Sequence, residues 1–287
     1  MKLVTYSQAG TTKLGVVKND GVIDLGKHLA GLPSGMIGLI TEWDRVGARV
    51  SELAEKSSAD APLASVHLLA PVPRPGKIFA IGLNYADHIK ESGMPTPQHQ
   101  TWFTKAVTSI NGPFDPILLP TASKLIDYEA ELVVIIGKRC KHVSKERAAE
   151  VVFGYAAGND VSVRDWQMRS GQWAIGKSFD THAPIGPWIV TADELGDPHT
   201  LGIRCLVNGE LRQNSNTKNL VFGVFDEIAH LTQAMTLEPG DVLFTGTPGG
   251  VGAASKPPRW LVAGDKVRVE IDRIGALEAT MQAEGAG

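Results

Sequence analysis

The sequence predicts an α+β fold that is mostly β, with a small N-terminal α+β unit over residues 1–70 and a larger β-roll or barrel domain over residues 71–287. Three observations carry this. Short β-branched runs bounded by Gly and Pro recur along the chain, only a few stretches have helical periodicity, and a Pro-rich segment separates the two parts.

The pieces LVTYS, KLGVVK and GVIDL, separated by Gly and Asn-Asp turns, read as strands, and a helical stretch from Thr41 to Lys56 follows them. LLAPVPRPGK, residues 68–77, holds three prolines and cannot continue a helix, so it marks the domain boundary. Beyond Lys77 the strand signals are KIFAIGLN, PILLP, AELVVIIGK, GPWIVT, IRCLVNGE, DVLFTGT and DKVRVEI. Two helices stand among them. In VSKERAAEVV, Ser144 is placed to cap the first turn and Gly154 lies just past the end. From Asn219 to Met235, Leu220, Val224, Ile228 and Leu231 form one apolar stripe that Glu238-Pro239-Gly240-Asp241 ends. The C-terminal tail AEGAG is expected to be mobile.

Hydrophobic residues make up 43%, charged residues 21%, and the net charge is -3, which argues against nucleic-acid or polybasic membrane binding. Cys140 and Cys205 form neither a CxxC pair nor a zinc-type cluster, and a reducing cytoplasm is expected. MKLVTYSQAG lacks the apolar core of a signal peptide, and no run approaches the roughly 18 apolar residues of a membrane helix.

In DYEAELVVIIGK, strand alternation sends Glu129 and Glu131 to one face with Val133 and Ile135, and Tyr128, Ala130, Leu132 and Val134 to the other. Neighbouring carboxylates either raise a pKa or call for a cation; an exposed strand end carrying two glutamates is the plainer alternative. Asp160, in GYAAGNDVSVRDWQ, would be a third carboxylate, or else a turn residue. Three carboxylates make a hard oxygen site suited to Mg²⁺ or Mn²⁺ rather than zinc.

The chain resembles the fumarylacetoacetate hydrolase (FAH) superfamily over residues 72–272, through GLNYADHIKESG (82–93), DYEAELVVIIGK (127–138), NDVSVRDWQ (159–167), GKSFDTHAPIGPW (176–188), NGELRQNSNT (208–217) and LEPGDVLFTGTPGGVG (237–252). The resemblance is to its acylpyruvate hydrolase and 2-hydroxyhepta-2,4-diene-1,7-dioate isomerase-like branch. It implies an FAH-type mixed β-roll catalytic domain, a homodimer, and a divalent cation on Glu129, Glu131 and Asp160.

His88 and Glu91, three apart, would stack on a short helix as an imidazole base supported by a carboxylate, although such a pair is often only a solvated salt bridge. The resemblance implies that this helix is a lid, with MPTPQHQ as its hinge, and that Lys177 is the catalytic-site lysine. It implies substrate contacts from Arg164 and Gln167, Arg164 having Asp165 or another structural acid as an alternative partner. Tyr85 either lines the lid's inner face or is packing, and Gly246 and Thr247 in TGTPGGVG offer a backbone N–H and a hydroxyl to an anion. His182 reads as structural, and Trp166, Trp173 and Trp188 as core and pocket wall. Leu83 stands where some members have arginine, and the GTPGGVG loop lacks a common bulkier residue; both bear on specificity.

With these residues the resemblance implies hydrolysis of a C–C bond in a small β-diketone-type 2-oxo acid, of the acylpyruvate or fumarylpyruvate class, through an enolate that the metal stabilises. Oxaloacetate decarboxylation, and hydration or isomerisation of a 2-hydroxymuconate-type acid of aromatic catabolism, use the same enolate. A non-catalytic, metal-stabilised binding protein is the alternative of another class.

Overall fold

The strand Ala130–Ile136 is buried at every position because it has a core on each face. Tyr128, Ala130, Leu132, Val134 and Ile136 point into one core, and Val133 and Ile135 into the other. The alternation expected from the sequence is therefore observed, in a strand without an exposed side. The computed structural model describes residues 1–285; the last two residues of the AEGAG tail lie outside the described residues.

The main sheet runs in the order Ala61–Pro62, Gly21–Asp24, Thr11–Lys18, Lys2–Gln8, Ala183–Thr191, Val152–Asn159, Ala130–Ile136, Val242–Phe244, Ile78–Gly82 and Thr101–Thr104. A second sheet runs Glu210–Asn216, Gly202–Val207, Lys266–Ile271, Gly275–Ala283 and Ile117–Leu119. Its inward residues, among them Ile203, Cys205, Val267, Val269 and Leu277, pack on the Leu132–Val134–Ile136 face. Burial of such aliphatic side chains, about 1.5–3 kcal/mol each, holds the two sheets together.

The N-terminal unit is built into this architecture rather than set beside it. Lys2 and Leu3 pair antiparallel with Val190 and Ile189, and Leu3, Leu14, Val16, Leu39 and Val46 share a core with Val133, Ile135 and Phe244. The boundary at residue 70 thus separates chain segments within one sheet. The helical stretch before it is two helices, Met36–Thr41 and Trp43–Lys56.

Two expectations need correction. VSKERAAEVV forms a 3₁₀ segment, Lys145–Val151, whose Ser144 makes no side-chain cap. Gly154 does not end it but lies inside the strand Val152–Asn159, where a Cβ would sit 2.4 Å from the Val190 carbonyl oxygen. The later helix begins at Val224, not Asn219; Asp226 accepts the Gly223 N–H at 3.2 Å and so fixes its start. Among the described residues no helix is long and apolar enough to cross a membrane.

Candidate metal and substrate site

Register places three carboxylates together. Ala130 pairs with Asn159 and Glu131 with Gly158, so Asp160, one residue past its strand, comes opposite Glu129. The Asp160 N–H donates to the Glu129 carbonyl at 2.9 Å, and the Glu129 N–H donates to Asn159 Oδ1 at 3.0 Å. One carboxylate oxygen from each of Glu129, Glu131 and Asp160 lies within 4.8 Å of the others, and all three residues are buried. An all-oxygen, buried, anionic donor set fits a hard divalent cation.

Cations of the chain surround this centre. Lys177 Nζ lies 2.6 Å from Glu129 Oε2 and 2.7 Å from Asp160 Oδ2. Lys105 Nζ donates to Asp160 Oδ1 at 2.6 Å and to the Lys177 carbonyl. Arg164 reaches Glu129 Oε1 at 2.7 Å and donates to Asp127 Oδ2 at 2.9 Å. Four buried carboxylates thus face three cations. Among the described residues Glu131 is the acid left without one, and its side chain accepts only the Gly246 N–H, at 2.6 Å.

The pKa directions follow from this imbalance. Burial, with the Asp160 and Glu129 charges added, pushes the Glu131 carboxyl well above the usual carboxylate range. Burial would raise Glu129 as well, but the Lys177 and Arg164 charges and the Lys177 hydrogen bond together outweigh it and bring Glu129 down to about 2. A divalent cation is the group that would settle the unpaired Glu131 charge.

Across from the acids lies the helix Ala86–Ser92, ended by Gly93 at φ +69. His88 Nδ1 stands 3.5 Å from Glu91 Oε1, a loose pair in the orientation that spacing predicts. The helix is seated on the 247–250 loop. Glu91 Oε2 accepts the Gly250 N–H at 2.7 Å, and Asp87 accepts the Gly249 N–H at 3.3 Å and the Ser215 hydroxyl at 2.5 Å. Gly250 must be glycine here, since at φ +100 its Cβ would lie 2.0 Å from the Arg212 carbonyl oxygen.

A cavity of about 660 Å³ opens between helix and acids, and His88, Glu91, Glu129, Glu131, Lys177 and Thr247 all line it. Arg164 and Gln167 line it too, but the Arg164 charge is engaged by Asp127 and Glu129, and Gln167 Oε1 accepts from Arg164 Nη1 at 3.0 Å. Arg164 is therefore an organiser of Glu129 and Gln167 rather than a free anion contact. Asp160 lies behind the wall, fully buried. Tyr85 is placed elsewhere: it is fully buried in the core, not on the cavity wall. Gly246 is also set back, its N–H engaged by Glu131. His182 is buried, with Nε2 2.8 Å from the Leu118 carbonyl oxygen, and burial takes its pKa down to about 4.

Three residues at the site were not singled out from sequence. Lys105 is one; its signal was a lysine inside the apolar TWFTKA piece. Asp127, the first residue of DYEAE, accepts N–H groups from Gly252 at 2.7 Å and Ala253 at 2.9 Å besides its Arg164 pair, and so joins the cavity's far loop to the metal strand. Gln213 is fully buried; its Nε2 donates to Thr247 Oγ1 and to the Pro248 carbonyl, both at 2.8 Å, and its Oε1 accepts the Ala130 N–H at 2.9 Å. Because Thr247 Oγ1 accepts that bond, its own proton is left for a ligand.

The chain as a whole is similar to known proteins. Residues 77–282 match the family described as "Fumarylacetoacetate (FAA) hydrolase C-terminal". A mitochondrial oxaloacetate tautomerase of Xenopus laevis is 45% identical over 288 residues, covering 96% of this chain and 89% of its own. The maleylpyruvate hydrolase of Sphingobium sp. SYK-6, solved with manganese(II) and pyruvate, is 36% identical with a TM-score of 0.84, over 99% of each chain. A 5-carboxymethyl-2-hydroxymuconate delta-isomerase from Mycobacterium smegmatis is 34% identical, with a TM-score of 0.79, over 99% of this chain and 100% of its own.

Proposed function

Because this chain belongs to the fumarylacetoacetate hydrolase family, we propose that it is a divalent-metal-dependent enzyme that acts on a small 2-oxo acid through its enolate, hydrolysing a C–C bond of an acylpyruvate. The observation that carries the reading is the placement of the His88–Glu91 pair across one cavity from the Glu129–Glu131–Asp160 centre. Mg²⁺ or Mn²⁺ would be held by those three carboxylates. When bound, it supplies Lewis-acid polarisation of the 2-oxo-carboxylate oxygens.

The remaining work belongs to the chain's own groups. Thr247 directs its free hydroxyl proton to the substrate carboxylate. His88, supported by Glu91, takes a proton from water as the hydroxide oxygen adds to the distal carbonyl carbon. Lys177 has three N–H donors, two of them engaged by Glu129 and Asp160, so the third is available to the resulting oxyanion, with the Gln167 amide beside it. Collapse of that adduct breaks the C–C bond, releasing the distal acyl group as a carboxylic acid and the electron pair as the pyruvate enolate. The His88 imidazolium returns its proton to C3.

A second reading is favoured by the 45% identical oxaloacetate tautomerase and by the isomerase neighbour. In it the same groups only move a proton at C3 and no water is consumed. Oxaloacetate decarboxylation would likewise pass through the enolate without water. A homodimer completes the proposal and is testable by sedimentation.

The experiment is an assay of acylpyruvates and of oxaloacetate, each with Mg²⁺ or Mn²⁺ added to chelator-treated protein. Cleavage of an acylpyruvate supports the first reading. Enol–keto conversion of oxaloacetate without any cleavage supports the second, and inertness toward every 2-oxo acid contradicts both.

A further inference from the structure

Beyond the acids the cavity changes character. The Lys177 ammonium lies 4.9 Å from the centroid of the Phe103 ring, and Phe103 meets Trp173 at 5.6 Å, so an apolar wall begins directly beside the charged end. Trp173 packs on Gly82, where a Cβ would come 2.3 Å from Cζ3. Leu83 follows at φ +55, a backbone region that leucine seldom occupies. It is held there by its neighbour: the two Asn84 amide N–H groups are shared among the Phe222 carbonyl, Glu227 and the Thr245 carbonyl, each 2.9 Å from Nδ2, and its Oδ1 accepts from the Phe222 N–H at 2.8 Å. Leu83 lines the cavity, as do Val251 and Ala254. At the mouth stand Met94 and Met168, 52% and 73% exposed, adaptable apolar side chains turned to solvent.

Charge points the same way. Arg164 and Lys177 are engaged by Asp127, Glu129 and Asp160, and His88 by Glu91. The remaining cation on the lining, Lys256, makes no ion pair among the described residues and sits exposed at the rim, where water screens it. Among the described residues, every buried cation on the lining already has a carboxylate partner, so none is left over for a second carboxylate at the far end of a substrate.

We propose that the site prefers 2-oxo acids whose distal end is an uncharged apolar group, an alkyl chain of several carbons or an aryl ring, and that Leu83 and Trp173 set this preference. The proposal rests on the reading that the oxo-acid end is held at the Glu129–Glu131–Asp160 centre.

The test is a calorimetric titration of Mn²⁺-loaded protein with pyruvate, 2-oxohexanoate, 2-oxooctanoate and 2-oxoadipate, the last matching 2-oxohexanoate in length but ending in a carboxylate. Affinity should rise up to about fourfold for each methylene buried until the chain reaches the mouth. 2-Oxohexanoate should bind roughly tenfold more tightly than 2-oxoadipate, whose carboxylate would be desolvated without a partner. Leu83→Arg should reverse that order. Pyruvate binding that longer tails leave unchanged, or tighter binding of 2-oxoadipate to the wild type, overturns the preference and leaves the oxo-acid reading standing. Failure of every 2-oxo acid, pyruvate included, to bind overturns both.

Discussion

Lys105 donates to Asp160 Oδ1 at 2.6 Å with both side chains wholly buried, while the other oxygen of that carboxylate, Oδ2, accepts from Lys177 at 2.7 Å. Breaking a buried ion pair leaves an uncompensated charge. Lys105→Met is therefore expected to cost the metal-free protein about 3 kcal/mol in denaturant unfolding. Saturating Mn²⁺ should recover part of that loss by restoring positive charge beside Asp160. An unchanged midpoint would show that the pair adds nothing to stability.

Glu131 gives a prediction of unusual sign. Its folded-state pKa is raised by burial, then by Asp160 and Glu129, so the folded metal-free chain keeps a proton that the unfolded chain releases. Stability contributed by that proton is lost as pH rises from the unfolded value towards the raised folded one. Glu131→Gln should then leave the melting temperature of metal-free protein at pH 7 equal or higher, while removing the shift that Mn²⁺ produces. Glu129 runs the other way. Lowered from 4.5 to about 2, its carboxylate stabilises the fold above pH 4.5 and loses that contribution as pH falls through about 2. Glu129→Gln should destabilise the metal-free protein at pH 7 by on the order of 3 kcal/mol. Melting curves of the two variants with and without metal check both signs.

His88 and Glu91 separate proton transfer from the seating of the Ala86–Ser92 helix. His88→Ala should lower kcat for acylpyruvate cleavage by about 10²–10⁴-fold and leave the Mn²⁺-induced melting shift intact. Glu91→Gln keeps an oxygen for the Gly250 N–H but removes the charge beside the imidazole. Its kcat should fall less than that of His88→Ala. Equal kcat for wild type and His88→Ala would remove the histidine from the proton path.

Gln213 is expected to act through Thr247. Gln213→Leu frees the Thr247 hydroxyl from its partner and leaves the Ala130 N–H buried without an acceptor, costing about 1–3 kcal/mol of stability. KM should rise more than kcat falls, because the affected contact is to the bound carboxylate. The split is read from steady-state kinetics of the variant, with Gln213→Glu as a control that keeps the acceptor for Ala130.

Much of this was legible where chemistry is local. The alternation of DYEAELVVIIGK placed Glu129 and Glu131 on one face, and three-residue spacing placed His88 against Glu91. What was hidden depends on strand pairing. VFGYAAGN shows no alternation because its small residues answer a neighbour's demand: at Gly158 a Cβ would fall 2.5 Å from Val133 Cγ2. Lys105, Asp127 and Gln213 acquire meaning only through partners far along the chain, and Arg164 looked available to substrate because the Asp127 that engages it is 37 positions earlier. The joining of the N-terminal strands to the main sheet at Lys2–Val190 has no local signature.

The central claim is that a cation on Glu129, Glu131 and Asp160 enables enolate chemistry on a 2-oxo acid. Its most direct test titrates Mn²⁺ into chelator-treated protein while acylpyruvate cleavage and oxaloacetate tautomerisation are followed in the same samples, for wild type and Glu131→Gln. The account predicts one ion per chain, turnover that rises in proportion to occupancy, and neither tight binding nor turnover in the variant. Full turnover in the metal-free protein, or in Glu131→Gln, would contradict it.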